Sequence, residues 1–162
     1  MTLREYFLER LNAERPYFVR MLQALPPDKL DYKPHERSPS AHELAWTLAA
    51  EIDACLKVAK EFQTEWNSAP PPAIAGIIEQ FERASAQLAE QIAKMDEASW
   101  DRKAQFLYEG KVVMEKPAGE FLWYILFDAI HHRGQLSAYI RPMGGKVPAI
   151  YGPSADEQGG MM

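Results

Sequence analysis

Hydrophobic positions recur at helical spacing in four long stretches of the chain, separated by breaks rich in proline, glycine or charge. The first stretch runs from about Leu3 to Ala24, with Leu3, Phe7, Leu11, Phe18 and Leu22 on one face. Pro16 falls inside it and is expected to kink or divide the helix, because proline removes a backbone donor and crowds the preceding turn. The connector "LPPDKLDYKPHERS" follows. The second helix opens at "SPSAHEL", where Ser38 or Ser40 can cap it and Ser40 with Glu43 has capping-box spacing. Leu44, Leu48, Ile52, Leu56 and Ala59 form its apolar face, and it ends near Phe62. "NSAPPP" breaks the chain, and a third helix carries the stripe Ile74, Ile77, Ile78, Phe81, Leu88, Ile92 and Met95.

The segment "FLYEGKVVMEK", residues 106 to 116, changes character: Glu109-Gly110 separates two β-prone runs and predicts a short hairpin. Pro117 then opens a fourth helix that reaches about Arg141, stopped by Gly144-Gly145. Residues 144–162 have no period and read as an extended surface tail, frayed at its end. The pattern predicts an all-α fold, a four-helix bundle with a short β-hairpin between helices three and four. The connector between helices one and two is long enough to cross the bundle, so simple up-and-down connectivity does not follow.

Length and composition narrow the class. At 162 residues the chain has the size of one domain, taken as 1–162. A net charge of -5 without any basic run argues against nucleic acid, whose phosphates require a cationic surface. "MTLREYFLERL" alternates charge with apolar residues, so it reads as neither a signal peptide nor a membrane span. The single cysteine, Cys55, excludes an internal disulfide, fits a reducing compartment and is expected to be buried and inert. A cytoplasmic location is the expectation.

The fourth helix holds the candidate chemistry. "FDAIHHRGQLSAYI" is apolar on nearly every side, yet one face reads Phe121, Ile125, Asp128, His132, Gln135, Tyr139. Asp128 and His132, four residues apart, can hold a divalent ion between them or hydrogen-bond each other without one. Gln135 and Tyr139 would line the same pocket, and Tyr151 could close it from the tail. His131 lies off the face. Gly134 costs about 1 kcal/mol against alanine in a helix, and close approach of a neighbouring backbone is the expected return. On helix two, Thr47 and Glu51 share a face. Glu51 alone reads rather as a solvated carboxylate than as a buried one, and His35 and His42 read as surface residues.

"DAIHHRGQLSAYIRPMGGKVPAIYGPSADE", together with "KPHERSPSAHELAWTLAAE", resembles the DinB (DinB/YfiT-like) superfamily of bacterial metal-binding four-helix bundles. The resemblance covers most of the chain. It implies crossover connections, a homodimer, and a divalent metal held by three histidines, one on helix two and an H-x3-H pair on helix four. The second histidine of that pair falls on His132 and the first on Asp128. The helix-two histidine, which follows "LAW", falls on Thr47. Aspartate can replace histidine as a ligand, whereas neutral threonine is a poor ligand for zinc or nickel. Glu51, one turn past Thr47, is the residue that could replace the lost histidine.

Two functional expectations follow. In one, zinc, nickel or manganese at Asp128 and His132 serves a small-molecule transferase or hydrolase, thiol-linked as in some members of the superfamily. In the other, the bundle is metal-free and binds a small molecule or a protein partner through a degenerate site.

Overall fold

A computed structural model describes residues 1–66 and 69–158. The chain order is α1 (Leu3–Gln23), α2 (Ala41–Glu61), β1 (Gln63–Glu65), α3 (Ile74–Lys94), α4 (Glu97–Asp101), β2 (Lys103–Tyr108), β3 (Lys111–Pro117) and α5 (Ala118–Ile140). The molecule is mostly helical, with a small three-stranded sheet in the order β1-β2-β3. α2 packs against α3 and α5, and α1 packs against the same two helices. Helices α1 and α2, consecutive in sequence, are therefore separated by α3 and α5. The connector between them is fastened at its far end, where the Ala41 and His42 amides donate to the carbonyls of Tyr32 and Leu30.

Local chemistry sets the ends of these elements. The Ser40 hydroxyl accepts from the Glu43 amide at 3.1 Å while the Glu43 carboxylate accepts from the Ser40 amide at 2.7 Å, so the α2 capping box is complete. Thr2 and Glu5 do the same for α1. α2 stops at Phe62, which adopts a left-handed backbone with φ of 55°, and the chain turns directly into β1. Glu109 and Gly110 have φ of 49° and 71°, the paired positive angles that a two-residue turn between twisted strands requires. β2 and β3 pair antiparallel on either side of that turn, and β1 adds to β2 in parallel.

The structure departs from the sequence pattern in four places. The strand β1 and the short helix α4 were not expected; both lack the length that makes a period legible. Pro16 does not divide α1, which runs unbroken from Leu3 to Gln23. Asn12 and Pro16 are both exposed, so water can satisfy the carbonyl that proline leaves without a donor. Gly134 is exposed, and a Cβ placed there would meet nothing within 4 Å, so no backbone approaches it. Nothing in the structure explains that glycine.

The tail is held more firmly than an extended surface segment would be. Arg20 donates to both Glu157 carboxylate oxygens at 2.6 Å and to the Ala149 carbonyl at 3.0 Å. Asp156 accepts from Arg141 at 2.7 Å and from the Val147 amide at 3.0 Å. The expected frayed end, residues 159–162, lies outside the described residues.

Two glycines of α5 give opposite predictions. A Cβ at Gly119 would lie 2.1 Å from the Trp100 ring, which is itself buried against Phe7. Gly119→Ala should therefore lower the melting temperature, by an overpacking cost of about 1–3 kcal/mol. Gly134→Ala adds a methyl in open space and removes backbone freedom from the unfolded chain, so it should raise stability by about 0.5–1 kcal/mol. Thermal unfolding of the two variants beside the parent checks both signs.

Candidate metal centre

α2 is apolar on most of its circumference, with buried residues at Leu44, Leu48, Ile52, Cys55 and Val58 among others. Glu51 sits within this buried surface and is 3% exposed. A carboxylate so placed needs a donor. His132 of α5 supplies one contact, with Nδ1 2.7 Å from Glu51 Oε1. The second oxygen, Oε2, is buried and no hydrogen-bond donor reaches it. Asp128, one turn before His132 on α5, completes the group. The ligand atoms of Glu51, Asp128 and His132 all lie within 4.8 Å of one another.

This set could hold a divalent ion. Its chemistry, two carboxylates and an imidazole, suits such an ion. The undonated Oε2 is a position where a cation would supply what hydrogen bonding does not. Thr47 makes no such offer, because its hydroxyl turns back along its own helix and donates to the Glu43 carbonyl at 3.0 Å.

Beside the cluster lies a cavity of about 220 Å³. Glu51 and Asp128 form its polar edge. Trp66, Phe106, Met114, Phe121, Tyr124, Ile125 and Ala54 form the rest. The sheet builds one wall: Phe106 of β2 packs on Phe121 of α5 with centroids 6.1 Å apart, and Met114 of β3 lies beside it. Sequence reasoning named Phe121 and Ile125 on the Asp128 face. It missed Tyr124, although that residue is four before Asp128 and so shares its side of the helix. Trp66, Phe106 and Met114 had no local signal, since only strand pairing brings them here.

Gln135, Tyr139 and Tyr151, expected as pocket residues, are not among the residues lining this cavity. Gln135 is exposed, and the Tyr139 hydroxyl donates to the Pro39 carbonyl at 3.2 Å, at the other end of α2. The stripe is correct in azimuth, but each residue climbs about 1.5 Å along the axis, so its C-terminal half has passed the cavity. Tyr151 belongs to a separate cluster. Its hydroxyl donates to Glu14 Oε2 at 2.7 Å and accepts from Arg133 at 2.5 Å. Arg133 also donates to Glu14 at 2.6 Å, and both charged side chains are buried. The expected solvated reading of Glu51 is overturned by its burial. His131 is exposed and meets the His132 ring edge-on at 5.4 Å. His42 contacts the Pro72 carbonyl, and His35 accepts from the Arg37 amide. Cys55 is fully buried, and burial, then the nearby Glu51 charge, hold its thiol well above the ordinary range.

The model of the DinB family matches residues 2–160. The chain belongs to the DinB family. The uncharacterized protein YrdA of Bacillus subtilis is 23% identical over 154 residues, covering 94% of this chain and 90% of that protein. The crystal structure of a DinB-like protein from Bacillus cereus superposes with a TM-score of 0.75 at 21% identity, covering 91% of this chain and 97% of that one. A mycothiol-dependent maleylpyruvate isomerase superposes with a TM-score of 0.55 at 15% identity, over 91% of this chain and 65% of that one. At these identities the likeness to solved structures is one of fold.

The electrostatics of the DinB-family cluster give a pH prediction. Burial, opposed by the His132 contact and reinforced by Asp128, pushes the Glu51 carboxyl up from 4.5 to about 7. The Glu51 contact, opposed by partial burial, raises His132 above 6.5. Both groups hold protons more tightly in the folded state than in the unfolded chain, and as neighbours they titrate as a pair. Their stabilising contribution is therefore complete below about pH 4.5 and is lost as pH rises through 7 and the raised His132 value. For Glu51 alone the difference corresponds to about 3 kcal/mol. Denaturant unfolding at a series of pH values, without metal, should show a stability that falls across this window. Glu51→Gln should flatten the fall, because it removes both the Glu51 titration and the contact that raises His132.

Proposed function

We propose that this DinB-family chain binds a divalent metal through Glu51, Asp128 and His132 and acts on a small molecule held in the adjoining cavity. The observation that carries this reading is the buried Glu51 Oε2, which lacks a hydrogen-bond donor within a group of three metal-capable residues. A bound ion would supply Lewis acidity or an activated water or thiol. The chain's own residues would do the rest. Asp128 and Glu51 would give anionic oxygens, His132 a neutral nitrogen, and the aromatic walls would exclude water from the reacting edge. With oxygen donors in the majority, manganese should compete better against zinc and nickel than at a three-histidine site. The fold neighbour described as mycothiol-dependent makes thiol-linked transfer a candidate chemistry, beside hydrolysis.

One observation favours a second reading, a metal-free module that binds a small molecule or a partner. The 2.7 Å contact between Glu51 and His132 partly satisfies the cluster without an ion. Titration of metal-stripped protein with zinc, nickel and manganese separates the two. The metal reading expects tight binding by the parent, at least about 100-fold weakening in Asp128→Ala/His132→Ala, and a metal-dependent rise in melting temperature. Equal binding by parent and variant, or none, leaves the metal-free reading.

The same proposal takes residues 1–162 as one DinB-type four-helix bundle with crossover connections, supported by the separation of α1 from α2. It places the protein in the cytoplasm, supported by its single buried cysteine. No described helix is long and apolar enough to cross a membrane. A homodimer is supported by an apolar groove between α1 and α5, where Leu3, Tyr6 and Phe127 are exposed beside Trp123. Sedimentation should show a dimer at micromolar concentration that Phe127→Asp converts to monomer; a monomeric parent would remove this element.

A further inference from the structure

We infer that the cavity beside Glu51 selects a small organic cation, a primary ammonium group carried on one aromatic ring or on an aliphatic body of that size. This rests on the reading that the Glu51, Asp128 and His132 cluster is a binding site, but not on a metal filling it. The polar edge of the cavity is formed by two carboxylates, and no lysine or arginine is among the residues that line it. An anionic ligand would have to enter against both carboxylates. A neutral ligand without a donor would leave Glu51 Oε2 as it is, buried and undonated. An ammonium group brings up to three donors and a positive charge to that edge.

The walls agree with the edge. Trp66, Phe106, Phe121 and Tyr124 are among the residues that line the cavity, and aromatic rings attract cations and cover apolar groups. Trp66 and Tyr124 are partly open to solvent, at 38% and 52% exposure, so a ligand has a way in. The volume of about 220 Å³ fixes the size. An apolar cavity of roughly 150 Å³ takes one benzene, so this space suits one ring with a short chain.

The test uses three probes of one shape: phenethylamine, 2-phenylethanol and phenylacetate. Each is titrated calorimetrically into metal-stripped parent protein at mildly alkaline pH. The amine should bind at least about ten-fold tighter than the alcohol, and the acid should not bind measurably. Asp128→Asn and Glu51→Gln should each weaken the amine about ten-fold or more. Trp66→Ala, at a partly exposed position outside the helices, should weaken the amine yet leave zinc affinity within about two-fold. Equal affinity for amine and alcohol, binding of the acid as tight as the amine, or no amine binding at millimolar concentration would overturn the inference. So would unchanged amine binding in both carboxylate variants. Amine binding without binding of zinc, nickel or manganese removes the metal reading alone. Zinc binding without amine binding removes this inference alone.

Discussion

The placement of one carboxylate, Glu51, constrains everything around it. α2 is the helix most completely enclosed, and a glutamate on its inner surface must be met by something from α5. His132 meets one oxygen, and Asp128 stands close enough to make the other worse rather than better. The cluster is therefore under-compensated: two acids face one base, and one of the acids, Glu51, is buried. A fold that served stability alone would place a leucine there, as it does at Leu48 one turn before. The sheet is arranged around the same spot, since Phe106 and Met114 wall a space on the open side of the carboxylates rather than filling it.

The second buried polar cluster shows what compensation looks like in the same molecule. Glu14 and Arg133 bond each other at 2.6 Å, Tyr151 bonds both, and the Arg133 guanidinium lies 4.6 Å from the Phe18 ring centroid. This network ties α1, α5 and the tail, and a charge removed from it would leave a buried partner alone, at about 3–5 kcal/mol. Glu51 lies on the other side of α5 and lacks such completion. The contrast separates a joint from a site: satisfied buried charge fastens elements, and unsatisfied buried charge waits for a ligand.

Much of this was legible in the sequence, for reasons that differ by element. The long helices declared themselves through apolar recurrence at Leu44, Leu48 and Ile52 or at Ile77, Phe81 and Leu88, and the Ser40/Glu43 box marked an end. The adjacency of Asp128 and His132 follows from helical spacing alone. What was not legible depends on contacts across the chain. The burial of Glu51 is decided by which neighbour covers its sector of α2, and a sector beside Leu48 and Ile52 can face either core or solvent. β1 has only three residues and pairs with a strand beyond α3, so no local pattern marks it. Gln135 and Tyr139 share the azimuth of Asp128 but not its height, and periodicity reports only azimuth.

The difference between this cluster and the three-histidine site that the sequence resemblance implies has a physical consequence for what this site can accept. Histidine ligands are neutral before an ion binds, so a site built from three of them carries no charge when empty. Here Thr47 returns its hydroxyl to its own helix, and carboxylates occupy the group instead. The empty site then stores negative charge in a place where burial makes that charge expensive, as the raised Glu51 carboxyl records. Protons relieve the cost at low pH. At higher pH only a cation can, and it can be a metal ion held by the three side chains or an ammonium group whose apolar body the aromatic walls enclose. Both compete with protons for the same oxygens, so the affinity of either must rise with pH until Glu51 is fully ionised. A purely structural Glu51–His132 pair would carry no such linkage to a ligand, and that difference separates a retained binding site from a relic of one.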